Sequence, residues 1–262
     1  MFRLFRLYKE FVRSSLRREA SFRVNFISKV LENAVWMGFF LLIVLVLYYN
    51  TDSIAGWTRG DAYILTATTF LLWALVRALF SLNLMEIPAK VRKGSLDYDL
   101  VKPVDTQFLV SFRKFNFDEI GSLVVGFVLV WLGVRIGGYS PALWHVGEYL
   151  LLLGCGIAIF YAFDLFIMTL GIWLVRVENL WALSEQIIGI ARMPLEIFGM
   201  GVRRVLTYVV PLAFLAWAPS KALMGSLNVS LIFWGVAWAV CALVFSRLFF
   251  RFALRHYTSA SS

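Results

Sequence analysis

VGEYLLLLGCGIAIFYAFDLFIMTLGIWLV, Val146–Val175, is the stretch that decides the architecture. Hydrocarbon offers no partner to an unpaired backbone N–H or C=O, so an apolar run that crosses it must be a helix or a strand of a closed barrel. A helical crossing takes ~20 residues, and this run is continuous and longer than that, so it reads as a helix. The surplus length implies tilt, or a break near Gly154 and Gly156. Near its middle sits Asp164, an expensive group for such a place.

The rest of the chain repeats the pattern. Of its 262 residues 61% are hydrophobic and only 16% charged, with a mean hydropathy of +0.78, too apolar for an ordinary soluble domain. The formal charge of +9 would suit nucleic acid, but most cations flank apolar runs, where they meet anionic lipid headgroups. Membrane lipids are therefore the expected partners and nucleic acid is not. Cys155 and Cys241 lie in apolar runs without metal or redox spacing and read as inert core thiols. The first residues contain no short apolar stretch ending in a small-residue cleavage site, so the first span is expected to direct insertion.

Working outward, residues 1–23 form a basic amphipathic helix in the membrane interface: Arg3, Arg6, Lys9, Arg13 and Arg17 share one face, and Leu4, Tyr8, Phe11, Val12 and Leu16 the other. A solvated helix packing its apolar stripe on a neighbour is the alternative. Candidate spans follow at 26–49, 63–84, 117–136, 146–175 and 229–250. Residues 85–116 are polar. Cations precede the first span, follow the second and follow the last, which places both termini and the 85–116 segment in the cytoplasm. An even number of crossings then requires one more between Arg176 and Ser226. Cation placement alone assigns it to VLTYVVPLAFLAWAPSKAL, because Arg203 and Arg204 favour the cytoplasm. The expected fold class is an all-α integral membrane protein of six transmembrane helices.

Little enzyme chemistry is visible. There is no GxxxxGK[ST] phosphate loop, and His145 and His256 are far apart with no metal-ligand spacing, so no catalytic residue, metal or bound cofactor is expected. Asp164 either lines a transport path or takes a proton, or it is a hydrogen-bonded carboxyl holding helices together. Glu32 and Arg77 lie at similar depth and are expected to pair across two helices or to form a polar cavity wall. Trp57, Trp144 and Trp181, near span ends, read as an interfacial belt. The segment from Glu86 to Asn116 is nearly balanced in charge, unlike a purely lipid-binding one, and suits docking on another protein.

The basic start running into REASFRVNFIS, the segment IPAKVRKGSLDYDLVKPVD, and RMPLEIFGMGVRRVLTYVVPLAFLAWAPSKALMG resemble the six-span permeases of the ABC-2 class of ABC transporters over essentially the whole chain. The resemblance implies a bacterial plasma-membrane exporter subunit. Its partners would be two ATP-binding cassette subunits, which hold the ATP, and a second permease, identical or related. It implies a cytoplasmic coupling helix in 85–116, onto which Arg92, Lys93, Gly94, Ser95, Leu96, Asp97, Leu100 and Pro103 fall. It also implies a fifth crossing at 180–198 and an outer re-entrant hairpin at 199–225 with Pro211 and Pro219 at its bends, against the placement of Arg203 and Arg204. Two rival readings remain: a stand-alone channel or secondary transporter working through Asp164, and a non-transporting scaffold that only recruits a partner.

Overall fold

A computed structural model describes residues 2–19, 23–174 and 180–258. Helix α1 (Phe2–Glu19) is followed by α2 (Arg23–Leu47) and a small hairpin, β1 (Ser53–Ile54) and β2 (Trp57–Thr58). Thr58 caps the next helix reciprocally with Asp61, which fixes where α3 (Arg59–Arg92) begins. Then come two short helices, α4 (Asp97–Leu100) and α5 (Thr106–Phe112), before α6 (Phe117–Ile136) and α7 (Leu143–Ile172). The chain ends with α8 (Leu180–Ala191), α9 (Met200–Tyr208), α10 (Trp217–Leu223) and α11 (Val229–Arg255).

Among the described residues four helices, α3, α6, α7 and α11, are long and apolar enough to cross a membrane. In α2 the apolar part is Leu31–Leu47, and α8 has 12 residues. A 12-residue helix rises only ~18 Å against a ~30 Å hydrocarbon core. It is followed by Pro194 and a 3₁₀ turn at Leu195–Ile197 rather than by more helix. In the stretch expected as a hairpin, Pro211 separates α9 from the Leu212–Phe214 turn and α10, whereas Pro219 lies in the first turn of α10. There a missing N–H breaks no helical bond, so no bend results.

Two spans form the centre: α3 and α7 are mostly buried, while α6 and α11 present most of their surface outward. The outward side of α11 carries Phe233, Val240, Val244 and Leu248, residues suited to hydrocarbon. Helix α3 packs along α6, and α7 along α11. The α3–α6 contact is close because Gly133 faces the Ile64 backbone, where a Cβ would come within 2.9 Å of its nitrogen.

The helix of the second span runs on past Leu84 to Arg92, with Pro88 placed where the continuing segment restarts and Glu86 and Lys90 paired one turn apart. One expectation needs correction: α7 does not break near its glycines, since Leu143–Thr169 is continuous α-helix. Gly156 serves close approach instead: a Cβ there would lie 2.6 Å from the Phe214 carbonyl oxygen, while one at Gly154 would meet nothing within 4 Å.

This contrast is testable by paired substitution. Gly156→Ala should lower thermal stability in detergent by about 1–3 kcal/mol through overpacking, and Gly154→Ala should match or slightly exceed wild type through helix propensity.

Candidate functional site: a polar knuckle and a charged cavity

Beyond Arg92 the helix ends at Gly94, whose φ of +65° turns the chain in the left-handed region that favours glycine. The one-turn helix α4 follows. Leu96 points inward and is fully buried, and Asp99 is only 3% exposed. A carboxylate so enclosed needs compensating charge. It receives Lys102 Nζ at 2.7 Å, Lys90 Nζ at 2.9 Å and, farther off, Arg113 at 3.7 Å. Burial by itself raises the Asp99 pKa, but the hydrogen bonds from Lys102 and Lys90 outweigh it and hold the group below the usual carboxylate range. Asp99 thereby pins the knuckle shut, and the residues around it turn outward. Tyr98 is 73% and Val101 80% exposed, with Arg92, Lys93, Leu100, Lys102 and Pro103 also on the surface.

The knuckle is tied to the spans at its root. Asp105 caps α5 by accepting from the Phe108 N–H, and it also pairs with Arg247 of α11. That guanidinium lowers the Asp105 pKa first of all, followed by partial burial, which opposes, and the cap hydrogen bond, which assists. Arg247 donates a further bond to Gln107 Oε1 at 2.9 Å, Gln107 donates to the Tyr161 hydroxyl of α7 at 3.0 Å, and Ser111 sits 2.9 Å from the same hydroxyl. On the other side Asn83 of α3 exchanges two hydrogen bonds with the backbone of Lys114. Helix α1 completes the root: Tyr8 meets Phe112 edge-on, Phe11 stacks on Phe108, and Ser15 accepts from the Phe115 N–H. Its apolar stripe therefore packs at least partly on protein.

Within the spans, Asp164 is fully buried and accepts from Ser81 of α3 at 3.0 Å and Ser184 of α8 at 3.1 Å. Ser81 closes a π-helical turn, Arg77–Ser81, inside α3. Such a turn displaces a backbone bond, and the Ala78 carbonyl in it accepts from Asn116 N–H at 3.0 Å instead. At the start of the same turn Arg77 Nε lies 3.0 Å from Glu119. The expected Arg77 partner was Glu32. Glu119, in the first turn of α6, is the more enclosed, at 6% side-chain exposure, while Glu32 lines the same cavity as Arg77.

That cavity, about 350 Å³, lies among α2, α3, the start of α6 and α8. Its wall holds Glu32, Glu119 and Glu185 against Arg77 and Arg192, with Trp36, Phe40, Phe70 and Trp73 between them. Asp164 is not in this wall. No group of three or more His, Cys, Asp or Glu side chains suited to a metal occurs among the described residues.

A family profile described as ABC-2 family transporter protein matches residues 34–261. The chain belongs to the ABC-2 transporter family. Neither the curated proteins nor the solved structures gave a match. Family membership identifies this ABC-2 protein as a membrane subunit of a transporter that is not itself the ATPase.

Several site residues of the ABC-2 protein carry no sequence signal. Glu119 and Arg192 stand at or near element ends, where charge is unremarkable, Glu185 lies mid-way along the short α8, and Ser81 and Ser184 are small polar residues in apolar helices. Two readings change. Trp57 is 1% exposed and donates to Glu196, which also accepts from Trp217, so it belongs to a buried clamp and not to a headgroup belt. Cys241 is exposed, unlike buried Cys155.

Asp164→Asn should keep near-wild-type stability, since an amide can still bond both serines, whereas Asp164→Leu should cost about 1–3 kcal/mol by orphaning them. Loss of transport in a fully stable Asn variant would instead reveal a proton site. For Asp99 and Asp105, whose pKa values are depressed, stabilisation is complete above the unfolded value of ~3.9 and is lost as pH falls through the lower folded values. Protease protection of residues 93–116 should therefore persist at neutral pH and decline progressively as pH falls below about 4.

Proposed function

We propose that this protein is the permease subunit of an ABC exporter, driven by two ATP-binding cassette subunits and paired with a second permease. The observation that carries this reading is the exposed Tyr98–Val101 surface held on a buried ion cluster and wired to α3, α7 and α11. A mobile loop would absorb a push. A knuckle pinned at Asp99 and rooted through Arg247, Gln107 and Tyr161 transmits it to the spans.

The knuckle faces the cytoplasm, as do both termini, because the cationic flanks of the spans favour that side. Partner ATPases close on ATP, move the docked knuckles and change how the two permeases pack. Such a switch works only if the ATPase contacts differ between its two states. The fifth crossing is made by the region that includes α8, and 199–225 dips into the outer leaflet and returns. This last reading draws support from the pair of short helices divided at Pro211 and from the tolerance of membranes for broken helices that are covered by protein.

The test uses inverted vesicles containing the permease and its ATP-binding subunits. Tyr98→Ala and Val101→Asp should insert and fold normally yet reduce ATP-dependent transport by tenfold or more, the ~1.4 kcal/mol scale of a lost interface anchor. Asp99→Asn should destabilise the knuckle itself, visible as proteolysis. Wild-type transport in both surface variants at normal expression would overturn the assignment.

A further inference from the structure

From the charged cavity we infer a binding site for amphiphilic cations, organic amines or quaternary ammonium compounds with an apolar tail. The inference deepens the transport reading and rests on it only for what happens after binding.

Three observations favour a cation. The described wall exposes the Glu185 carboxyl to the cavity, while Arg77 is engaged by Glu119 and Arg192 by the Phe40 ring. Second, the aromatic lining already holds a cation: the Arg192 guanidinium lies 4.8 Å from the Phe40 ring centroid and 6.0 Å from that of Phe70. Ring faces in this cavity are therefore presented at cation–π distance, and Trp36 and Trp73 line the same space without such a partner among the described residues. Third, the site has unused polar capacity. Glu185 makes no hydrogen bond or ion pair within 4.0 Å among the described residues, Arg77 and Arg192 acting on it only at longer range.

The size is suitable. Ligand pockets run from ~300 Å³ upward, so about 350 Å³ takes a headgroup and part of a tail, with the remainder following Phe40 and Trp36 toward lipid. The ammonium lies between the Glu185 carboxylate and the indole faces. The tail distinguishes such a ligand from a metal ion, for which the described residues hold no cluster of three suitable ligands.

The experiment uses the full-length permease in nanodiscs of zwitterionic lipid, with empty nanodiscs subtracted, and two probes of equal chain length, decyltrimethylammonium and decyl sulfate. Saturable quenching of tryptophan fluorescence by the cation and not by the anion is expected. Glu185→Gln should weaken cation binding about tenfold, Glu185→Asp should restore part of it, and Trp73→Phe should remove much of the fluorescence response. Equal binding of both probes, or unchanged affinity in a folded Glu185→Gln variant, would overturn the inference. The ATPase is absent from this assay, so its result is separable: no cation binding with intact ATP-coupled transport sinks the cavity alone, and specific binding without any ATP-driven flux sinks the permease reading alone.

Discussion

A carboxyl group enclosed among membrane helices must be satisfied by protein, and Asp164 meets that constraint with two serines from two other helices. The bracket fixes more than itself. It draws Ser81 inward at the end of the π turn of α3, and the carbonyl of Ala78 in that turn is taken by Asn116. It also sets the rotation of α8, so that Ser184 faces the bracket while its neighbour Glu185 faces the cavity. The chain leaving α3 and the wall of the cavity are thus positioned by one buried group.

From the π turn outward, polar contacts become denser. Arg77 and Glu119, Asn83 and Lys114, then Lys90 and Asp99 succeed one another along α3. Each joins α3 to the chain that follows it. Tyr98 and Val101 flank Asp99, which is tied to α3 through Lys90, while Gln107 and Arg247 tie the following α5 to α7 and α11. These contacts form a path, part hydrogen bonds and ion pairs and part covalent chain, between a surface and the spans. Its role in coupling follows only if the spans have two packings that the partner ATPase distinguishes.

Four of the expected spans were legible because hydrophobic runs in a membrane protein report directly on the solvent they meet. Bounds for α6 and α11 can be read to within a few residues on that basis. What the runs do not report is where a helix continues beyond hydrocarbon: α3 extends through Glu86 and Lys90 because an ion pair and a well-placed Pro88 support it in water. Pairings were less legible still. Arg77 has carboxylates at similar depth on two sides, and only the packing of α6 against α3 selects Glu119. Trp57 and Glu196 are separated by 139 residues, and nothing local to either announces the contact. Polar residues around the turn at Gly94 signalled a segment apart from the apolar runs, but which of them turn outward depends on the burial of Asp99, which sequence periodicity over one helical turn cannot express.

The measurement that tests the central claim most directly is site-specific photocrosslinking in the complex of permease and ATP-binding subunits. A photoreactive residue at Val101, which is 80% exposed, should form an adduct with the ATP-binding subunit, and one at Phe233, 72% exposed on the outward face of α11, should not. An active complex in which Val101 crosslinks only to lipid or to nothing, while ATP-driven transport proceeds, would contradict the account.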